Sequence, residues 1–253
     1  MSAQPRLPSG FTLRTYDSLP STNDEARRLA GAGAPHGTVV WARTQTAGRG
    51  RRGRDWASPA GNLYASFLLR PSIAVDRATQ AGFVAAVALG DTVAQAVPAE
   101  RVVRCKWPND ILVDGAKVSG ILLESSLDAA GKMDWLVVGC GLNCTSHPAE
   151  SRWPATDLET AGAPAKPVAD VLQRLVAAMD RWLAVWQRDG FGPIRSAWLD
   201  RAYGLGEPVR LIQGDTELEG RFTGLDDDGA LLLDRGEGGP LPVRSGEVTM
   251  ARP

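Results

Sequence analysis

The pattern of apolar and polar positions along the chain changes its character near residues 204–206. Before that point, short alternating or apolar runs typical of β-strands lie between longer runs with helical spacing. The clearest helix is predicted over 168–188, where apolar residues recur at i, i+3, i+4 and i+7. After that point, short apolar runs are separated by glycine and aspartate turns, which favours a small all-β barrel.

These patterns predict an α+β protein with two domains, residues 1–204 and 205–253. The predicted strands of the first domain cover 11–16, 38–42, 62–69, 102–107, 111–113, 117–124 and 135–143, and its predicted helices cover 21–30, 76–97, 168–188 and 193–202. Residues 145–167 contain several prolines and little periodicity, so they are predicted to form a long loop.

The composition is that of an ordinary soluble globular protein. Hydrophobic residues make up 43% and charged residues 23% of the 253 positions, with a net charge of −1. This balance argues against a generally basic nucleic-acid-binding protein. Three cysteines without C-x-x-C spacing indicate reduced thiols, and two distant histidines give no metal signature. Without a signal-peptide pattern or a long apolar run, we expect a cytoplasmic protein with no membrane association.

The loop over residues 45–56 has unusual chemistry. Between Gly48 and Arg54 it reads GRGRRGR, so three glycines alternate with four arginines. Glycine lets backbone N–H groups approach a ligand closely, and each arginine can grip a carboxylate or phosphate with two hydrogen bonds. The loop is therefore a candidate site for a crowded anion.

Three other interpretations can be given to this loop, and the residues around it argue against two of them. A dinucleotide-binding G-x-G-x-x-G loop must open a helix, but Pro59 and Gly61 follow too soon. A protein-kinase loop would need a lysine that the next predicted strand, 62–69, lacks. A solvated basic turn that touches nucleic acid remains open, because Arg-Gly runs bind such backbones by charge alone.

Two further segments place reactive side chains at predicted strand ends. Residues 106–110 read KWPND, and Lys117 begins the strand that follows the Asp114–Gly115 turn. If the two strands form a hairpin, Asp110 and Lys117 lie near its mouth. The alternative is an ordinary surface salt bridge. Taken alone, Ser21, Thr22 and Asn23 are better explained as the cap of a helix than as a binding site.

Together these segments resemble the biotin–protein ligases. Their motifs occur in that family's order and spacing over about residues 21–143: STN at 21–23, GRGRRGR within 45–54, KWPND at 106–110, KVSG at 117–120 and GCGLN at 139–143. The resemblance implies a mixed β-sheet catalytic domain flanked by helices, the class II synthetase-like fold of lipoate and biotin ligases, followed by a small SH3-like β-barrel.

The resemblance also implies partners. There is no room for the N-terminal DNA-binding helix-turn-helix of the repressor members, so we expect the monofunctional type without DNA binding. The family uses ATP and biotin to form biotinyl-5′-AMP and pyrophosphate, then transfers biotin to a lysine of a biotin carboxyl carrier protein. Mg²⁺ is expected with ATP, although no ligand can be named, and a homodimer remains possible.

By resemblance, the catalytic residues are Lys117, Arg49 and Asp110. The residues implied for biotin are Ser21, Thr22, Asn23, Gln45, Arg49, Gly50, Arg51, Lys117, Gly120, Gly139 and Gly141. Those implied for ATP are Arg51, Arg54, Trp56, Asn109, Asp110, Lys117 and Asn143. Cys140 and Cys144 replace residues that are usually aliphatic in the family, and Lys106 is given a structural role.

Two rival functions follow from other interpretations. A lipoate–protein ligase or an octanoyltransferase would share the catalytic fold and also modify a carrier lysine, but the arginine-rich loop and KWPND favour biotin. A nucleic-acid-binding module would use the Arg-Gly loop alone. It would bind in a strongly salt-dependent way and would not need Lys117.

Overall fold

A seven-stranded mixed sheet is the centre of the molecule. The computed structural model describes residues 5–150, 153–236 and 238–251. The strands are β1 Thr12–Leu19, β2 Thr38–Gln45, β3 Leu63–Leu69, β4 Val103–Lys106, β5 Asp110–Val113, β6 Ala116–Leu127 and β7 Met133–Leu142. Their order is β1-β2-β3-β7-β6-β5-β4, with β1 parallel to β2 and the other neighbours antiparallel.

Helices cover both faces of this sheet. They are α1 Thr22–Gly31, α2 Gln80–Ala94, α3 Val168–Asp189 and α4 Phe191–Leu199. Alternate residues of a strand point to opposite faces, and β7 shows the division. Val138 packs in the core shared with α2 and α3, while Val137 packs against α1. None of the helices in the described ranges has the length and apolar character needed to cross a bilayer.

The predicted helix over 76–97 differs from the observed one. A short 3₁₀ turn covers Val75–Arg77, and α2 begins at Gln80 and ends at Ala94. Beyond Ala94 the chain turns, with the Val97 N–H donating to the Val93 carbonyl over 3.0 Å, and Pro98 disfavours helical backbone at Val97. The helix predicted over 193–202 instead covers Phe191–Leu199, because a proline is tolerated in the first turn, where its missing N–H is not needed.

The second sheet confirms the predicted all-β tail. It is antiparallel with the order β11-β10-β9-β8-β12, where β8 is Pro208–Gln213, β9 Thr216–Leu225, β10 Leu231–Asp234, β11 Leu241–Val243 and β12 Glu247–Met250. One continuous hydrophobic core joins it to the first sheet. At this junction the Trp107 Nε1–H donates to the Gly229 carbonyl over 3.2 Å. The division at residue 204 stays a prediction.

Candidate active site

A cavity lies on the α1 face of the large sheet and gathers nearly all the residues singled out in the sequence. The predicted site residues that line it are Ser21, Thr22, Asn23, Gln45, Arg49, Gly50, Arg51, Arg54, Trp56, Asn109, Asp110, Lys117, Gly120, Gly139 and Gly141. They come from the start of α1, the end of β2, the following loop, and strands β5, β6 and β7. Segments far apart in sequence thus meet at one place.

Glycines of β6 and β7 make the floor of the cavity. A Cβ atom at Gly141 would lie 2.6 Å from Cε2 of Trp56, and one at Gly139 would lie 2.2 Å from Oδ1 of Asn23. Both distances are far below van der Waals contact. A side chain at either position would therefore displace a neighbour that lines the cavity.

The start of α1 holds a network of short polar side chains. Ser21 caps the helix, as predicted, and the Thr22 N–H donates to Oε1 of Gln45 over 2.8 Å. Ser66 of β3 donates to Oδ1 of Asn23 over 2.6 Å. All three residues of the STN motif are buried. A helix cap by itself does not require this burial or these distant partners.

The Gly-Arg loop forms a hairpin. The Gly50 N–H donates to the Arg54 carbonyl over 2.7 Å, and the Trp56 N–H donates to the Gly48 carbonyl over 2.9 Å. At the tip a 3₁₀ turn places Arg52 at φ 59°. The loop returns along itself and opens no long helix, which agrees with the argument against a dinucleotide-binding loop.

The arginines of this hairpin reach three different partners. Nη2 of Arg49 donates to Oδ1 of Asp24 over 2.5 Å, and Nη1 of Arg51 donates to Oδ1 of Asn109 over 3.2 Å. Arg54 forms an ion pair with Glu247 of β12. Burial, together with the nearby charge of Arg52, lowers the pKa of Arg51 below its ordinary value. The second sheet thus contributes a residue to the wall of the cavity.

Lys117 and Asp110 form a close ion pair, with 2.6 Å between Nζ and Oδ1. Their side chains are 28% and 16% exposed, so this is not the solvated surface bridge considered above. The predicted hairpin turn is present, since Asp114 and Gly115 have φ of 50° and 84°. Nζ of Lys117 also lies 5.3 Å from the centre of the Trp56 ring.

Sequence reasoning missed Trp153, which lines the cavity from the long loop. Nζ of Lys106 lies 4.7 Å from its ring centre, a cation–π distance. The adjoining residues run beside β6, because the Lys117 N–H donates to the Pro154 carbonyl over 2.8 Å. Nothing in the periodicity of the loop marks this contact. The one available signal was a large aromatic in a polar, proline-rich stretch.

Asn143 does not line the cavity, although the resemblance assigned it to ATP. It is buried, and its Nδ2 donates to the Thr156 carbonyl over 3.0 Å. The Thr156 N–H in turn donates to the Lys117 carbonyl over 2.9 Å. Asn143 therefore fastens the segment that lies beside Lys117.

The cysteines and carboxylates suggest no further chemistry in the cavity. Burial raises the pKa of the Cys140 and Cys144 thiols to about 12, which keeps them protonated and unreactive at neutral pH. Across the described ranges, no cluster of three or more histidine, cysteine, aspartate or glutamate side chains is arranged to hold a metal ion. Mg²⁺ therefore stays an expectation that comes with ATP.

Comparisons with known proteins agree with this geometry. A model of the biotin/lipoate A/B protein ligase family matches residues 54–200. The chain belongs to this family. A second model, of the biotin protein ligase C terminal domain, matches residues 204–250.

Within this family, the relatives include proteins named as biotin ligases. This ligase-family chain is 43% identical to the biotin–[acetyl-CoA-carboxylase] ligase of Paracoccus denitrificans, over 90% of this chain and 96% of that protein. It is 35% identical to the bifunctional ligase/repressor BirA of Bacillus subtilis, over 90% and 71% of the two chains. A solved structure, the biotin protein ligase from Aquifex aeolicus in complex with biotin and ATP, superposes with a TM-score of 0.78 at 30% identity, covering 96% and 99%. The predicted α+β ligase fold is confirmed.

Proposed function

We propose that this chain is a biotin–protein ligase that joins biotin to ATP, releases pyrophosphate, and passes the biotinyl group from biotinyl-5′-AMP to a protein lysine. The observation that carries the proposal is the single cavity in which buried polar side chains and several cations lie together. The buried polar side chains at the start of α1 suit a small polar ring, and the cations Arg49, Arg51 and Lys117 suit a carboxylate and phosphates.

Activation of biotin brings two anions together. At an effective dielectric of ~20 and a separation of ~4 Å, a carboxylate and a phosphate oxygen repel by on the order of 4 kcal/mol. Arg49, Arg51 and Lys117 offset this repulsion with fixed positive charge. Such preorganised charge is typically the largest catalytic contribution. Lys117 stabilises the charge that develops at the α-phosphate.

The ureido ring of biotin requires matched polar partners, because its carbonyl accepts and its two N–H groups donate hydrogen bonds. We assign it to Ser21, Thr22, Asn23 and Gln45, which are close together at the start of α1 and the end of β2. Gly120, Gly139 and Gly141 let the Lys117, Asn23 and Trp56 side chains that surround the ring lie close to the sheet. The backbone at Gly50 covers the product.

We assign the nucleotide to Arg54, Trp56, Asn109 and Asp110. Trp56 Nε1 is buried and has no hydrogen-bond partner among the described residues, so it is available to a ligand. We assign Asn143 an indirect part, through the segment it fastens beside Lys117. Asp110 then orients the incoming acceptor lysine, and the Gly-Arg hairpin keeps water from the labile anhydride.

The acceptor is a carboxylase, as the name of the Paracoccus relative implies. We propose that the modified residue is one lysine of its biotin carboxyl carrier domain. We further propose that residues 1–204 form the catalytic domain and 205–253 an SH3-like domain. A homodimer and a role without DNA are compatible with these assignments.

Labelling of a carrier domain tests the function. Purified protein, ATP and [14C]biotin should label a biotin carboxyl carrier domain, and a carrier in which the acceptor lysine is replaced by arginine should stay unlabelled. Parallel reactions contain a lipoyl carrier domain with either lipoate and ATP or an octanoyl thioester, whose thiol is the leaving group. Incorporation of lipoate or octanoate, without incorporation of biotin, would favour the lipoate-ligase or octanoyltransferase alternative.

A further inference from the structure

Glu124 lies on the cavity side of β6. Side chains two residues apart on a strand share a face, so Glu124 follows Gly120 and Leu122, which both line the cavity. Its neighbour across the sheet is Val137 of β7, which packs against α1. Glu124 thus lies between the glycine floor and the start of α1.

The two carboxylate oxygens of Glu124 have different partners. Oε2 accepts a hydrogen bond from Nδ2 of Asn23 over 2.8 Å. Oε1 lies 3.2 Å from Nη1 of Arg27 and 3.8 Å from Nη2 of Arg49. The side chain is 25% exposed, so one edge faces solvent and the other faces the buried Asn23.

These contacts fix which way the Asn23 amide points. Its Nδ2 has two hydrogens, directed to Glu124 and, over 3.4 Å, to the Leu122 carbonyl. Its Oδ1 accepts from Ser66 and lies over Gly139. If the amide were reversed, its oxygen would face a carboxylate and a carbonyl, and its NH₂ would lose both acceptors.

The fixed amide has one acceptor position left. A carbonyl oxygen has two lone pairs, and Ser66 uses one of them. Because both Asn23 and the Gly139 beneath its oxygen line the cavity, the second lone pair suits an N–H donor bound there. A reversed amide would offer hydrogens instead and would repel that donor.

We propose that Glu124 is a positioning residue that holds the Asn23 amide with its oxygen toward the bound ring, so that the site selects a ligand carrying a cyclic-urea N–H. This proposal rests on the proposed function, since biotin supplies that ring. Glu124 does not touch the reacting atoms. It acts through Asn23, and its effect falls on binding of the ring.

A competing explanation assigns Glu124 to charge alone, as the ion-pair partner of Arg27 and Arg49. The two explanations differ for Glu124→Gln. Its amide oxygen can still accept from Nδ2 of Asn23, but it has no charge for the arginines. Glu124→Ala removes both functions.

The test measures binding of biotin and ATP separately by calorimetry, together with KM and kcat, on the wild-type chain and both variants. We expect Glu124→Ala to weaken biotin binding at least about tenfold, the range expected for loss of a hydrogen bond to a charged group. ATP affinity should stay within about twofold, and KM for biotin should change more than kcat. Glu124→Gln should recover most of the biotin affinity.

Desthiobiotin and two control variants sharpen the test. Desthiobiotin keeps the urea and lacks the sulfur, so Glu124→Ala should weaken it as much as biotin. Arg27→Ala removes an ion-pair partner of Glu124 outside the cavity lining, and Glu219→Gln removes the charge of an exposed glutamate paired with Arg210 on the second sheet. Both controls should bind biotin like the wild type.

Each result has one meaning. If Glu124→Gln binds biotin as poorly as Glu124→Ala, or if Arg27→Ala does so, charge pairing explains Glu124 and the proposal is wrong. If the wild type binds biotin and Glu124→Ala binds it equally well, the proposal fails while the ligase function stands. If the wild type binds no biotin, the proposed function itself fails.

Discussion

At the scale of single residues, the walls of the cavity depend on close contacts between the side chains and glycines that line it. Lys117 and Asp110 are 2.6 Å apart. A Cβ at Gly139 would lie 2.2 Å from the Asn23 amide oxygen, and a Cβ at Gly141 would lie 2.6 Å from the Trp56 ring. Since packed atoms cannot overlap, a side chain enlarged by even one methyl group at these positions would displace the residues that line the cavity.

Replacing Lys117 with alanine should reduce adenylate formation by about 100-fold or more, because a preorganised positive charge is lost from the reacting phosphate. The rate of adenylate formation is measured by biotin-dependent ATP–pyrophosphate exchange. The melting temperature should fall modestly, since Asp110 loses its partner. Lys166→Ala, at an exposed position outside the cavity lining, serves as the control. Exchange at the wild-type rate in Lys117→Ala would contradict the assignment.

Replacing Gly139 with alanine should abolish most biotin binding, because the new Cβ would occupy the space of the Asn23 oxygen. Overpacking of this kind typically costs about 1–3 kcal/mol of stability. Biotin titration and chemical denaturation measure the two effects. In Gly82→Ala the Cβ would meet nothing within 4 Å in α2, and this control should be stabilised by about 0.5–1 kcal/mol. Normal biotin binding by Gly139→Ala would count against the geometry of the floor.

At the scale of elements, the long loop after β7 is held by polar side chains in place of regular structure. Oδ1 of Asn62 accepts from the N–H groups of Cys144, Thr145 and Ser146. Further along, the buried carboxylate of Asp157 accepts from the Thr160 N–H over 2.7 Å and lies 2.6 Å from Nδ1 of His147. These contacts hold the loop that brings Trp153 to the cavity.

The Asp157 contacts predict a pH-dependent contribution to stability. Burial alone would raise the pKa of Asp157, but the Thr160 N–H and the His147 ring outweigh it and lower the pKa below 3.8. The ionised form is favoured by folding, so the stabilisation is present above the unfolded-state pKa and is lost as pH falls through the folded-state value. Asp157→Asn should therefore melt below the wild type at pH 7, and the difference should shrink as pH falls below the ordinary aspartate pKa of about 3.9. Thermal melts of both proteins from pH 7 to acidic pH measure this difference in melting temperature. A difference that does not change with pH would contradict the explanation.

At the scale of the whole molecule, the two sheets share one hydrophobic core and one cavity wall. Phe222 of β9 meets Trp198 of α4 edge to face, with ring centres 6.4 Å apart. Arg54 of the Gly-Arg hairpin pairs with Glu247 of β12. Since buried contacts of both sheets are continuous, we expect them to unfold together.

Gly229 lies at the junction of the sheets and tests this coupling. It has φ of 87°, and a Cβ there would lie 2.5 Å from Cε2 of Phe83. Gly229→Ala should lower the free energy of unfolding through both backbone strain and the clash. Gly236 has φ of 86° with nothing near its Cβ, so Gly236→Ala should cost about 1–2 kcal/mol from strain alone. Denaturation should give one transition, with Gly229→Ala the less stable. If the two variants lost equal free energies of unfolding, the packing of Gly229 against Phe83 would contribute nothing measurable.

The sequence by itself indicated most of the elements and the chemistry of the site. Periodicity indicated α3 and the all-β tail, and the Asp114–Gly115 pair indicated the hairpin turn, because these depend on local alternation and backbone preference. Residue types indicated the Gly-Arg hairpin and the KWPND segment, because arginine and glycine in that density suit an anion.

Only the tertiary structure decided which side chains meet. Trp153, Ser66 and Glu124 join the site through contacts between residues about 40 to 100 positions apart, and no local pattern encodes such pairings. Asn143, assigned to ATP by the resemblance, holds the segment beside Lys117 through its bond to the Thr156 carbonyl. Strand order and side-chain direction fix these distances, and both arise from packing of the whole core rather than from any one stretch of sequence.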